Sequence, residues 1–127
     1  MTEREARNGT LIVGGGYAGS ILTRHVGEAT IVSTENFMLF RPLLAEAASA
    51  TLEPRHVVVP LRMMCPRAEL LLGQLSALDA EQRVATIETG TETLAVHYEQ
   101  AVLALGSYPR ALPIPGLAEH GLGFKDL

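Results

Sequence analysis

One cysteine, Cys65, one lysine, Lys125, and no apolar run long enough to cross a bilayer are what this 127-residue sequence has least of. A single thiol excludes an internal disulfide framework and a paired-cysteine redox centre within the chain. Its neighbours Met63, Met64 and Pro66 are the setting of a small buried hydrophobe rather than of a reactive thiol. Nine arginines and the lone lysine are evenly scattered and the formal net charge is −4, so the basic stripe that phosphate-backbone binding needs is missing and no nucleic acid partner is expected. The stretch from Met1 to Asn8 is charged and polar with no apolar core behind it, so the expectation is no secretory signal, no membrane-spanning segment and a reducing, cytoplasmic setting. His25, His56, His97 and His120 lie too far apart for zinc-ligand spacing, and no serine is flanked as G-x-S-x-G, so neither a metal site nor hydrolase chemistry is expected.

What is present begins at Thr10-Leu-Ile-Val-Gly-Gly-Gly-Tyr-Ala-Gly-Ser20, an apolar run feeding into glycines 14, 16 and 19. That order reads as strand, tight turn and helix start, the G-x-G-x-x-G pattern of dinucleotide binding. Gly14 permits the turn, Gly16 lets backbone amides approach a pyrophosphate, and Gly19 lets the helix pack closely on the strand. A helix N-terminus offers unpaired N–H groups to an anion. Downstream, Ala18, Ile21, Leu22, His25 and Val26 fall on one helical stripe, expected to lie on a sheet, and Thr30-Ile-Val32 reads as the next strand.

Further along, Pro42 fits the first turn of a short helix running to Ala48, and Pro54 ends that segment. Val57 to Val59 reads as extended, Leu61 to Cys65 as one helical turn stopped by Pro66, and Glu69 to Leu72 as a third buried strand ending at Gly73. Val84 to Thr89 and Glu92 to His97 alternate in polarity around Gly90-Thr91 as a hairpin does, with Leu75 to Leu78 as the first strand of a meander. Ala101 to Leu105 is a continuous apolar run, the pattern of a parallel strand buried on both faces. Ligands in open α/β sheets bind outside the carboxyl ends of the strands, which makes Ala104, Leu105 and Gly106 cofactor neighbours beside the glycine turn; the other reading is a core strand with an ordinary turn.

These residues resemble the pyridine nucleotide-disulfide oxidoreductase superfamily of flavoproteins with two dinucleotide-binding domains, and within it most closely the type II NADH:quinone oxidoreductases. Ile12 to Gly19 resembles the FAD fingerprint, Asn36 to Leu44 the segment N-[YF]-x-L-F-x-P-L-L, Ala104-Leu-Gly106 the A-T-G strand end, and Pro115 to His120 a fourth match. Ala47-Ala-Ser49 and Pro60-Leu-Arg62 strengthen the second, which is the most specific. The resemblance implies an α/β, Rossmann-like three-layer domain with a central parallel sheet, crossover helices and an antiparallel β-meander. It implies FAD as cofactor, with Gly14, Gly16, Tyr17, Ala18 and Gly19 at the pyrophosphate, Arg41 and Pro42 near the flavin half, and the backbone of Leu75 at the adenine. NAD(P)H is the substrate of the complete family enzyme, and no catalytic side chain is named.

Two departures stand out. The position after the second strand, where the family places an acid that accepts from the adenosine ribose, is Ser33, 19 residues beyond Gly14, with Glu35 as the alternative acceptor. The middle of the A-T-G signature is Leu105. The sequence carries one glycine fingerprint, so the expectation is a single FAD/NAD(P)-binding domain over residues 1–127 that stops short of the second, NADH-binding one. A second polypeptide supplying that domain, or self-association, is then the expected partner. The expected function is the FAD-binding portion of an NADH dehydrogenase-like flavoprotein oxidoreductase, passing hydride from NADH to FAD and electrons to a quinone-like acceptor. The alternative is a non-catalytic nucleotide-binding module or remnant.

Overall fold

The computed structural model describes residues 1–108, 110 and 112–123. Lys125 and the last residues of the chain lie outside them. In chain order the elements are β1 (Thr2–Glu5), β2 (Thr10–Val13), α1 (Tyr17–Val26), β3 (Thr30–Ser33), β4 (Phe37–Leu39), α2 (Leu44–Ala48), β5 (Val58–Pro60), α3 (Leu61–Met64), β6 (Glu69–Leu72), β7 (Gln74–Asp79), β8 (Val84–Glu88), β9 (Thr93–His97), β10 (Gln100–Leu103) and α4 (Leu117–His120).

The apolar run at Leu11 to Val13 forms β2 because it can pair on both sides and bury both faces. It lies inside a four-stranded parallel sheet ordered β10-β2-β3-β6. Side chains alternate across this sheet. Leu11, Val13, Val32 and Leu71 pack on one face against Ala85, Ile87, Leu94, Val96 and Tyr98, whereas Ile12 and Ile31 pack on the other with Ala29, Leu22 and Leu70. The first group of partners belongs to the meander β7-β8-β9, antiparallel throughout, and α1 covers the second face. The expected three layers are therefore present: meander, parallel sheet, helix.

Four details differ from the sequence reading. The charged N-terminus, to which sequence assigned no element, forms a strand: Thr2 to Glu5 pairs in parallel with Leu94 to His97 as the outer strand beside β9. All four of its residues are exposed, so hydrophobic periodicity could not reveal it. It is fixed by Ala6 in the core, by an ion pair from Arg4 to Glu69 on β6, and by a hydrogen bond between His97 Nε2 and the Glu3 carboxylate at 2.5 Å. Second, Phe37 to Leu39 joins Val58 to Pro60 in a small antiparallel pair that sequence alone left unassigned, and Val57 closes a 3-10 turn just before it.

Third, the buried face of α1 is Gly19, Ser20 and Thr23, while Ala18, His25 and Val26 of the expected stripe are exposed and Ile21 and Leu22 are half-buried. Close approach decides this, because only small side chains fit where the helix meets β2 and α3. The Ser20 hydroxyl donates back to Gly16 O (2.8 Å) and Thr23 to Gly19 O (2.7 Å), so the buried polar groups stay satisfied within the helix. Fourth, the run from Ala101 to Leu105 is not buried on both faces. Its β10 is the edge of the parallel sheet, and Val102 and Leu103 are 38% and 52% exposed.

Candidate functional site

The glycine turn sits at the carboxyl ends of β2, β3 and β10. Gly14 has φ of +117°, a conformation that penalises any side chain, and its N–H donates to Val32 O at 2.8 Å. A Cβ on it would stand 2.2 Å from Ala104 O, and the Ala104 N–H donates to Val13 O at 2.7 Å, so the end of β10 lies directly against the turn. A Cβ on Gly19 would stand 1.9 Å from Gly14 O, which draws α1 onto the turn. Gly15, given no role by the sequence pattern, is pressed as closely: a Cβ there would meet Ser33 Oγ at 2.4 Å and Leu61 Cδ1 at 2.6 Å.

Gly16 is the exception, since a Cβ there would have nothing within 4 Å. The one glycine of the turn not needed for internal packing thus borders open space, at the N-cap of the ten-residue α1. The first N–H groups of an α-helix have no intrahelical acceptor, and the helix dipole adds partial positive charge there. Tyr17 and Ala18 begin the helix beside this space and are exposed.

The specific segment Asn36 to Leu44 is held beside α1. Met38 is buried with its sulfur 3.6 Å from the Ser20 hydroxyl oxygen, Asn36 O accepts from the Leu61 N–H at 2.9 Å, and Leu44 is buried in α2. Arg41 and Pro42 lie in the exposed 3-10 turn before α2, and Arg41 reaches the end of β10: a Cβ on Gly106 would stand 3.8 Å from its Nη1. Arg41, Ala104, Gly106 and the glycine turn are therefore gathered at one end of the sheet, and Leu105 between them is exposed.

Ser33 closes β3 and is 8% exposed, packed beneath Gly15, with its Oγ accepting from the Glu35 N–H at 3.3 Å. Glu35 itself is exposed on the following loop. Beyond Ser33 the surface opens into a shallow cleft of about 410 Å³ lined by Thr34, Leu72, Gly73, Gln74, Glu88, Thr89 and Gly90. Gly73 joins the layers here, donating its N–H to Ser33 O at 2.9 Å, and a Cβ on it would stand 2.7 Å from Glu88 O. Leu75 is one residue further on, half-buried, with its side chain against the meander core, next in the chain to Gly73 and Gln74, which line the cleft. Pattern reading missed Gly15, Thr34, Gln74 and Glu88; the pairing of Gln74 with Glu88 across β7 and β8 is what brings the last two in.

Cys65 stands apart from this end of the molecule. It is buried between α3 and α1, its thiol donates to Ser20 O at 3.6 Å, and burial pushes its pKa up while the Thr23 hydroxyl and the Arg24 guanidinium pull partly back.

A parallel sheet with a glycine turn leading into a helix, and a meander on the opposite face, defines a dinucleotide-binding α/β fold. The chain belongs to the pyridine nucleotide-disulphide oxidoreductase family, whose model matches residues 9–127. It is 28% identical over 99% of its length to the internal alternative NAD(P)H-ubiquinone oxidoreductase A1 of Solanum tuberosum mitochondria, covering 29% of that protein. It is 27% identical over 97% of its length to the demethylphylloquinone reductase NdbB of Synechocystis, covering 34% of it. Among solved structures, NDH2 from Plasmodium falciparum in complex with NADH superposes with a TM-score of 0.75 at 19% identity, over 91% of this chain and 25% of that one, a likeness of fold. The chain thus spans about a third or less of these relatives' length.

Proposed function

We propose that this chain is the FAD-binding portion of an NAD(P)H-dependent flavoprotein oxidoreductase that delivers electrons to a quinone-like acceptor. The observation that carries the reading is Gly16: three neighbouring glycines are consumed by packing, whereas a side chain on this one would meet only open space beside the helix N-terminus. The residues fit an adenine dinucleotide. Gly14 to Gly19 and the first turn of α1 would hold the pyrophosphate, Ser33 or Glu35 the ribose hydroxyls, Gly73 to Leu75 the adenine end, and Arg41, Pro42, Ala104, Leu105 and Gly106 the flavin half. When bound, the flavin supplies the acceptor for a hydride from NAD(P)H and a relay for electrons to the acceptor.

What the chain contributes is binding and orientation. Backbone N–H groups at a helix start hold phosphates without a counter-charge, and the Arg41 guanidinium lies beside the Gly106 turn where the other half of the ligand would extend. One glycine turn holds one dinucleotide. The NAD(P)H site of the reaction therefore comes from a further domain, in the same polypeptide or in a partner. The alternative of a nucleotide-binding module without redox turnover draws on the same single turn.

The test is calorimetry of the purified chain with FAD and with ADP, followed by anaerobic NADH addition to the FAD-loaded protein. Competing binding of FAD and ADP supports the proposal, bleaching of the flavin absorbance by NADH would favour catalysis over the module reading, and absence of binding by either ligand overturns both.

A further inference from the structure

The cleft beyond Ser33 has one ionisable lining residue, Glu88. Ile87 points into the core, so the side chain of Glu88 leaves β8 on the opposite face, next to Gln74, its direct cross-strand partner. Neither the Glu88 carboxylate nor the Gln74 amide has a hydrogen-bond or ion-pair partner among the described residues, whereas the Thr89 hydroxyl is engaged by the hairpin turn through Glu92 O at 2.8 Å and the Glu92 N–H at 3.0 Å. A cleft with a carboxylate and no cation repels phosphate and suits a neutral group rich in N–H donors.

Its place in the molecule gives the order of a ligand's parts. Gly16 and the α1 N-terminus lie at one end, then Gly15 over Ser33, then Thr34, then Gln74 and Glu88. A ligand whose phosphates sit at the helix N-terminus and whose sugar passes Ser33 carries its base into the cleft. Resting on the dinucleotide reading above, we infer that Glu88 is a specificity-determining residue that accepts a hydrogen bond from the 6-amino group of adenine and so favours adenine over a 6-oxo purine held in the same pose. Adenine presents a donor at that position, whereas hypoxanthine in the same pose presents an oxygen acceptor there, which a carboxylate repels. This assigns a role in base choice to the meander, which otherwise serves to cover the sheet.

The experiment is calorimetric titration of the 127-residue protein with ADP and with IDP, repeated on Glu88→Ala and Glu88→Gln. The wild type is expected to bind ADP about tenfold more tightly than IDP, the worth of one hydrogen bond to a charged group. Glu88→Ala should lose that preference by weakening ADP and sparing IDP. Glu88→Gln, which can present either its carbonyl or its amide, should keep most ADP affinity and gain IDP affinity. Equal weakening of both ligands, or a preference unchanged by either substitution, overturns the role of Glu88 while the dinucleotide reading stands. Failure of the wild type to bind either ligand overturns both.

Discussion

Gly16 and Gly19 are alike in sequence and opposite in structure, and substitution should separate them. Gly16→Val adds a side chain where nothing lies within 4 Å, so the fold should persist while ADP affinity falls below detection by calorimetry. Gly19→Ala drives a methyl toward Gly14 O and should cost about 2–3 kcal/mol in urea unfolding. The glycine spacing was legible in the sequence, because the three positions fall within six residues of one strand–turn–helix segment. That Ser33 is packed under Gly15 was not, since the two are brought together only by parallel pairing of their strands. Cys65 yields a pH prediction. Its folded pKa is raised by burial, so the unfolded state loses the proton first, and the stability that the buried neutral thiol contributes is present below the ordinary thiol range and lost as pH rises through it toward the folded pKa. Urea midpoints should fall more steeply above about pH 8.5 for the wild type than for Cys65→Ala, and parallel curves would contradict this.

Among the elements, β10 shows where pattern reading fails. A continuous apolar run marks a strand able to be covered on both faces, but it does not state that the cover is present. From Gln100 to Tyr108 the edge carries no charge and no proline, the devices that normally keep an open strand from pairing with another chain. Val102→Lys and Leu103→Lys should therefore reduce self-association, read by light scattering at several concentrations, and leave the unfolding free energy within about 0.5 kcal/mol. Helix α1 makes the complementary point. Its existence followed from periodicity, yet the buried side went to Gly19, Ser20 and Thr23, because contact distance outranked hydrophobicity where helix and strand touch most closely. The exposed strand β1 had no hydrophobic signal at all, and only its pairing with β9 defines it.

For the molecule as a whole, the parallel sheet and the meander share one apolar core, are joined in sequence by the single residue Gly73 between β6 and β7, and are bridged at the surface by the Arg4 to Glu69 ion pair. The α/β class, the meander and the family could be read from residues in order, because each depends on local runs and turns. The cleft at Glu88 could not, because it needs strands from both sheets. The purified chain should bind ADP and show negligible NADH-to-quinone turnover; robust turnover with retained flavin would show that a second nucleotide site lies within these 127 residues.

The pairings of β1 with β9 and of β2 with β10 bear on how the chain is made. Thr2 must find Leu94, and Leu11 must find Ala101, each a separation of about 90 residues. On a ribosome, the first two strands wait, unpaired along those edges, until residues 94–103 have emerged. Contacts so distant in sequence slow the search for the native state. During synthesis the apolar Leu11 to Val13 segment thus keeps one edge open to other nascent chains, and a translational pause before residue 100 would prolong that exposure.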